Sequence, residues 1–98
     1  MRFDLITDAE QDALNEAAYA EAAVMLRRAV ADFPGYDLDD VRRYCSDVLA
    51  ADLAACAADI KRAQRARATK QDRRNADWAR RMSERLARCQ FYIYDVEV

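Results

Sequence analysis

Ninety-eight residues carrying 16 Lys/Arg, 18 Asp/Glu and no His give a chain of formal charge −2, long enough for one modest hydrophobic core over residues 1–98. Without His or CxxC spacing, the common zinc sites and His-activated nucleophiles are excluded, and without glycine-rich loops so is a phosphate cradle. The only Gly and the only Pro are adjacent, at Pro34-Gly35, so few turns and long helices are expected.

In chain order, Arg2-Phe3-Asp4-Leu5-Ile6 alternates as a short strand does. Thr7 followed by Glu10 reads as a capping box, in which the hydroxyl takes an orphan backbone N–H and the carboxylate reaches back to the cap. The first helix is predicted from Asp8 to Asp32. Its apolar face is Leu14, Ala18, Ala22, Met25, Leu26, Ala29 and Phe33, with Tyr19 and Val30 at the flanks, and Pro34-Gly35 ends it.

Asp37 is the expected N-cap of a second helix. Leu38, Val41, Tyr44, Cys45, Val48, Leu49, Leu53, Cys56 and Ile60 recur there at helical spacing. Ala50, Ala51, Ala54, Ala55, Ala57 and Ala58 leave part of its surface smooth enough for close helix approach. The short connection predicts an antiparallel hairpin of these two helices.

No large apolar residue lies between Ile60 and Ala76. One long helix could cross this gap, but Thr69 with Asp72 can cap a fresh one, so a break near Ala68–Gln71 is favoured. A third, basic helix is then expected to pack through Trp78, Met82, Leu86 and Cys89. Asp77 with Arg81 and Glu84 with Arg88 stand at i,i+4 and are expected to pair on its surface. Phe91–Val98 is crowded with aromatic and β-branched residues, with Tyr92, Tyr94, Val96 and Val98 on one face and Phe91 and Ile93 on the other. It reads as a strand whose natural partner is residues 2–6, or a sheet in another subunit. The expected fold is mainly α: a helical hairpin, a third basic helix, and short terminal β-strands that pair.

Cys45, Cys56 and Cys89 are odd in number and coincide with the apolar stripes, as core thiols of a reducing cytoplasm do. Cys45 and Cys56 stand three turns apart, too far along one helix to bridge. No stretch is apolar enough to span a bilayer and the start does not resemble a signal peptide, so a cytoplasmic location is expected. Neither catalysis nor a metal or cofactor is expected.

Charge is strongly segregated. Residues 1–60 hold thirteen Asp/Glu against five Arg, residues 61–88 eleven Lys/Arg against three acids, and the last ten residues two acids. Three readings follow. In the first, Asp12, Glu16, Asp39, Asp40, Asp47 and Asp52 dock on the basic surface of a protein or nucleoprotein partner by matching its potential. Small, helix-rich, acidic proteins without catalytic groups resemble phage-encoded inhibitors of host defence complexes, anti-CRISPR proteins among them. The likeness is one of size, charge and missing catalytic groups, and implies inhibition or regulation of such a complex. In the second, Arg67, Lys70, Arg74, Arg81, Arg85 and Arg88 bind nucleic acid along one flank of the basic helix, with Trp78 beside them. In the third, the chain is a structural homo-oligomer, a homodimer first of all, formed through the C-terminal tyrosines or the alanine-smooth second helix. The bland alternative to the first two is a solvated charged face.

Overall fold

A computed structural model of the chain describes residues 7–98. It contains three helices: α1 (Asp8–Asp32), α2 (Leu38–Ala63) and α3 (Lys70–Tyr92). There is no strand among the described residues, and the predicted strand at 2–6 lies outside them. No described helix is long and apolar enough to cross a membrane.

The ends of the helices follow from local chemistry. Thr7 Oγ1 accepts the Glu10 N–H at 3.1 Å, and the Glu10 carboxylate in turn accepts from the Thr7 hydroxyl at 3.0 Å and its backbone N–H at 3.5 Å. That is the predicted capping box. Beyond α1, Gly35 has φ +90°, a left-handed conformation that glycine adopts without a Cβ clash. Asp37 is the N-cap of α2, though its carboxylate makes no capping hydrogen bond; Asp39 and Asp40 in the first turn and Lys61 and Arg62 in the last suit the helix dipole. The chain does break after α2. Thr69 Oγ1 accepts the Asp72 N–H at 3.0 Å and the Asp72 carboxylate accepts the Thr69 N–H at 3.0 Å, starting α3 with a second capping box.

The hairpin pairs different helices from those expected. α2 shares its largest interface with α3, and the α1–α2 interface is the smallest of the three. Gln90 Nε2 donates to the Ser46 carbonyl at 3.2 Å and an Arg42 guanidinium nitrogen to the Ile93 carbonyl at 2.7 Å, which fixes α2 and α3 antiparallel. The short α1–α2 connection reverses the chain without dictating its interface. Every buried residue of α1 lies at Ala18 or beyond. Earlier along the same face stand Gln11 and Asn15, hydrogen-bonded to each other at 3.3 Å, and Leu14, which is exposed.

Small residues fill the α3 side of the α2–α3 seam. Ala76, Ala79 and Cys89 are buried on α3, and Val41, Cys45, Leu49 and Cys56 on α2. Trp78, expected in the core, is 53% exposed. The buried arc of α3 centres on Ala79 rather than Met82, a rotation of about 60°, which carries Trp78 about 100° from the centre and out of the interface. Met82, about 60° from that centre, and Leu86, about 20° from it, are half-buried. Leu14 and Phe33, read as part of the α1 face, are likewise largely exposed.

The C-terminal segment is not a strand. The Ile93 N–H donates to the Cys89 carbonyl at 3.0 Å, then Asp95 and Val96 donate to Tyr92 at 2.9 and 3.1 Å, prolonging the helical turn. This puts Ile93 and Val96, three residues apart, on one side. Both are fully buried with Ala22, Leu26, Val41 and Cys45. Among the largest fully buried side chains are only Leu26, Ile93, Val96 and Cys45, so the tail supplies two of the four. The molecule is thin: its principal extents are 50 × 32 × 15 Å, and its radius of gyration of 16.0 Å exceeds the roughly 13 Å of a compact chain this long.

Candidate nucleic-acid interface

α3 positions the charge. At 100° per residue, Lys70, Arg74, Trp78, Arg81, Arg85 and Arg88 fall within an arc of about 80°, over a rise of about 27 Å. The aromatic ring therefore stands at the edge of the cationic arc nearest the buried face, about 20° beyond Arg85. Arg88 is half-buried and the other five residues are exposed. Arg67 precedes the helix, in the connection from α2, so the helical phase does not place it in the row.

One cation of the row is spoken for. Arg85 Nε donates to Glu21 Oε1 at 2.6 Å, across from α3 to α1. The hydrogen bond and then the charge of Glu21 raise the Arg85 pKa above its already high ordinary value. Among the described residues Lys70, Arg74, Arg81 and Arg88 form no ion pair. The two expected i,i+4 pairs are absent: Asp77 turns instead to Arg80 at 3.0 Å, at i,i+3, and Glu84 pairs with no described cation. Arg81 is thereby left unpaired among the described residues. Arg81, Arg85 and Arg88 share a groove of about 420 Å³ with Leu14, Ala17, Ala18, Glu21 and Glu84. Its two carboxylates offset part of the charge, and exposed Asp77, about 20° outside the arc, does so in the stretch Lys70–Arg81.

The acidic residues are not gathered in this way. Asp12 and Glu16 lie on the first half of α1 and Asp39 and Asp40 at the start of α2. The α1 rise between Glu16 and its end is already about 24 Å. Asp47 is on the outer side of α2, whereas Asp52 lines a groove between α1 and α2. Asp40 also meets Arg43 at 3.2 Å. All six are exposed, but they do not make one patch.

The thiols are buried and unbridged. Cys89 Sγ donates to the Ala18 carbonyl at 3.7 Å and to Glu21 Oε2 at 3.6 Å. Burial first, and the neighbouring Glu21 charge second, push its pKa up to about 11; burial alone raises that of Cys45. A thiol held neutral in this way is a poor nucleophile. Among the described residues no three His, Cys, Asp or Glu side chains gather as metal ligands would.

Two features of this surface escape a reading by type and spacing alone. Glu21 was not singled out, because a lone acid in an Ala-rich helix carries no signal of its partner 64 residues away. Trp78 lies at the boundary between the apolar and cationic sides of the wheel, about 20° from Arg85, so spacing alone does not decide its side. No protein-family model, curated protein or solved structure matches the chain.

Proposed function

We propose that this is a non-catalytic binding protein that engages nucleic acid along the Lys70–Arg88 flank of α3. The observation that carries the reading is Trp78, exposed at the edge of the cationic arc and between Arg74 and Arg81 along the helix axis. Cations in a row attract a phosphate backbone regardless of sequence, and an exposed indole among them offers a stacking platform to an unpaired base. The segregation of acids onto α1 and α2 leaves α3 as the face a polyanion approaches. Fluorescence anisotropy of labelled single-stranded RNA and duplex DNA across a salt series tests it. The four cations of the row that form no ion pair among the described residues predict a slope of log affinity against log salt of about −3 for the single strand. Changing Arg74 and Arg81 together to Glu is expected to abolish binding, and absence of binding at low salt for either probe would retire the reading.

A second reading keeps the acidic side as the working surface and the chain as an inhibitor or regulator of a nucleoprotein complex. It is favoured by Asp40, which shares a recess of about 250 Å³ with Phe33, Val41 and the exposed rings of Tyr36 and Tyr44, since tyrosines are enriched where proteins meet. Here Asp39, Asp40 and Asp47 changed to Lys should end docking on a cationic partner, while the α3 substitutions should leave it intact.

A further inference from the structure

The turn from α1 to α2 gathers aromatic rings among acids. Residues 32–40 hold Phe33 and Tyr36 with Asp32, Asp37, Asp39 and Asp40, and no Lys or Arg. Pro34 and Gly35, the latter at φ +90°, follow the pattern of a type II turn, closed by the Tyr36 N–H donating to the Phe33 carbonyl at 3.4 Å. The turn holds Tyr36 against Phe33, ring centroids 6.0 Å apart at 80°, and Tyr44 meets Phe33 from α2 at 5.0 Å and 67°. With Asp40 and Val41, these rings line the recess of about 250 Å³. We propose that this recess binds an alkylated ammonium group, carried by a methylated lysine of a basic peptide. The carrier rests on the second reading above, with its cationic partner; the recess itself does not.

Three observations select this ligand. The first is the lining. Two edge-to-face contacts cover at most two of the six faces of these rings, and Tyr36 and Tyr44 remain 68% and 49% exposed. A cation over a ring face within about 6 Å of its centroid is attracted by the ring quadrupole, as in aromatic cages.

The second is charge. The four Asp of residues 32–40 face no basic residue in that stretch. α1 ends there with no basic residue in its last turn, so the negative end of its dipole adds to the same sign. Asp39 and Asp40 more than offset the positive start of α2, which is worth about half a charge. Asp40 lines the recess, and its pair with Arg43 engages only Oδ1, at 3.2 Å, with both side chains exposed. Solvent screens such a pair, which leaves the carboxylate open to a second cation.

The third is size and polarity. At about 250 Å³ the recess is smaller than the roughly 300–1,000 Å³ of pockets for whole drug-sized ligands, and suits one head group. A bare ammonium brings three N–H donors that need acceptors. Methyl groups replace them with apolar surface that matches Phe33, Val41 and the ring faces. The surrounding acids favour a peptide with further positive charge over a phosphocholine head group, whose phosphate they repel.

Fluorescence anisotropy of a labelled basic peptide with one central lysine, trimethylated or unmodified, tests the proposal, with circular dichroism as a check on folding. The trimethylated peptide is expected to bind about tenfold more tightly. Tyr36→Leu and Tyr44→Leu, at exposed positions, should each remove most of that preference. Tyr44→Phe should keep it, because the ring and not the hydroxyl faces the cation. Phosphocholine should compete poorly with the labelled peptide. No preference for the trimethylated peptide, or a preference that survives Tyr36→Leu and Tyr44→Leu together, would overturn the assignment. Docking on a cationic partner that still depends on Asp39 and Asp47 would then leave the second reading standing. Phosphocholine competing as strongly as unlabelled trimethylated peptide would overturn the choice of a peptide as carrier.

Discussion

Glu21 holds two residues of α3 at once: one carboxylate oxygen accepts from Arg85 Nε at 2.6 Å and the other from Cys89 Sγ at 3.6 Å. It is the point at which α1 is tied to the basic helix. The ion pair is exposed, at 57% and 40%, so solvent screens it. Glu21 also acts on the thiol, second to burial. The folded-state pKa of Cys89 is about 11, raised from 9.0, so unfolded chains lose this proton first as pH rises. The stabilisation is complete below pH 9 and is lost between pH 9 and 11, by about 2–3 kcal/mol, with Cys45 acting in the same direction. Urea denaturation at pH 8 and pH 10.5 should show the fall. Glu21→Gln removes the second cause but not burial, so native Cys89 should react faster with a disulfide reagent near pH 10 while staying much slower than a free thiol. It also frees Arg85, and nucleic-acid affinity should rise a few-fold.

The start of α3 depends on one hydroxyl. Thr69→Ala removes the acceptor of the Asp72 N–H and is expected to cost about 1 kcal/mol, seen as a lower urea midpoint with an unchanged slope. Because the Thr69 backbone N–H donates to Asp72 and lowers its pKa, the capping contribution of Asp72 is present above the ordinary carboxylate pKa. It is lost as pH falls through the lowered value. Asp72→Asn, which removes that carboxylate, should therefore cost less in acid than at pH 7. Thr69→Ala also loosens the backbone around Lys70 and Arg74, which ties the cap to the cationic row.

The tail separates two readings of the same residues. As a strand, Phe91–Val98 would bury alternate positions. As a continued helical turn, it buries Ile93 and Val96 and leaves Phe91 and Val98 71% and 59% exposed. Ile93→Ala is expected to cost about 2–4 kcal/mol, and Phe91→Ala less than about 0.5 kcal/mol. Equal costs in thermal melts would contradict the turn.

What could be read in advance divides along physical lines. Helix limits at Thr7, Pro34-Gly35 and Thr69 were legible because caps and breakers act over three or four residues. The tail was misread because β-branched and aromatic residues signal burial as much as strand, and a three-residue spacing looks like noise in so short a segment. The choice of α2 with α3 as the closest pair was not legible. Ala76 and Ala79 are two of the three buried residues of α3, and alanine counts the same in a pattern whether buried or exposed. Of the candidate interface, the cationic row could be drawn on a wheel, whereas the 60° rotation that exposes Trp78 is a property of the assembled seam.

That rotation makes opposite predictions for adjacent positions. Ala79 is fully buried in a seam where α3 contributes Ala76 and Cys89 as its other buried side chains. Ala79→Leu inserts three carbons where no space exists and should cost about 1–3 kcal/mol by overpacking. Trp78→Ala removes a far larger side chain from the surface, and the melt should move by less than that of Ala79→Leu. Binding should show the reverse order. Trp78→Ala is expected to weaken single-stranded RNA by about 1–3 kcal/mol without changing the salt slope, because no cation is lost. Quenching of Trp78 fluorescence on adding single-stranded RNA would place the indole against the bound strand, and its absence with a neutral backbone analogue would show that the cations hold the strand there. A Trp78→Ala protein that binds as tightly as wild type would leave the cations as the whole of the interface.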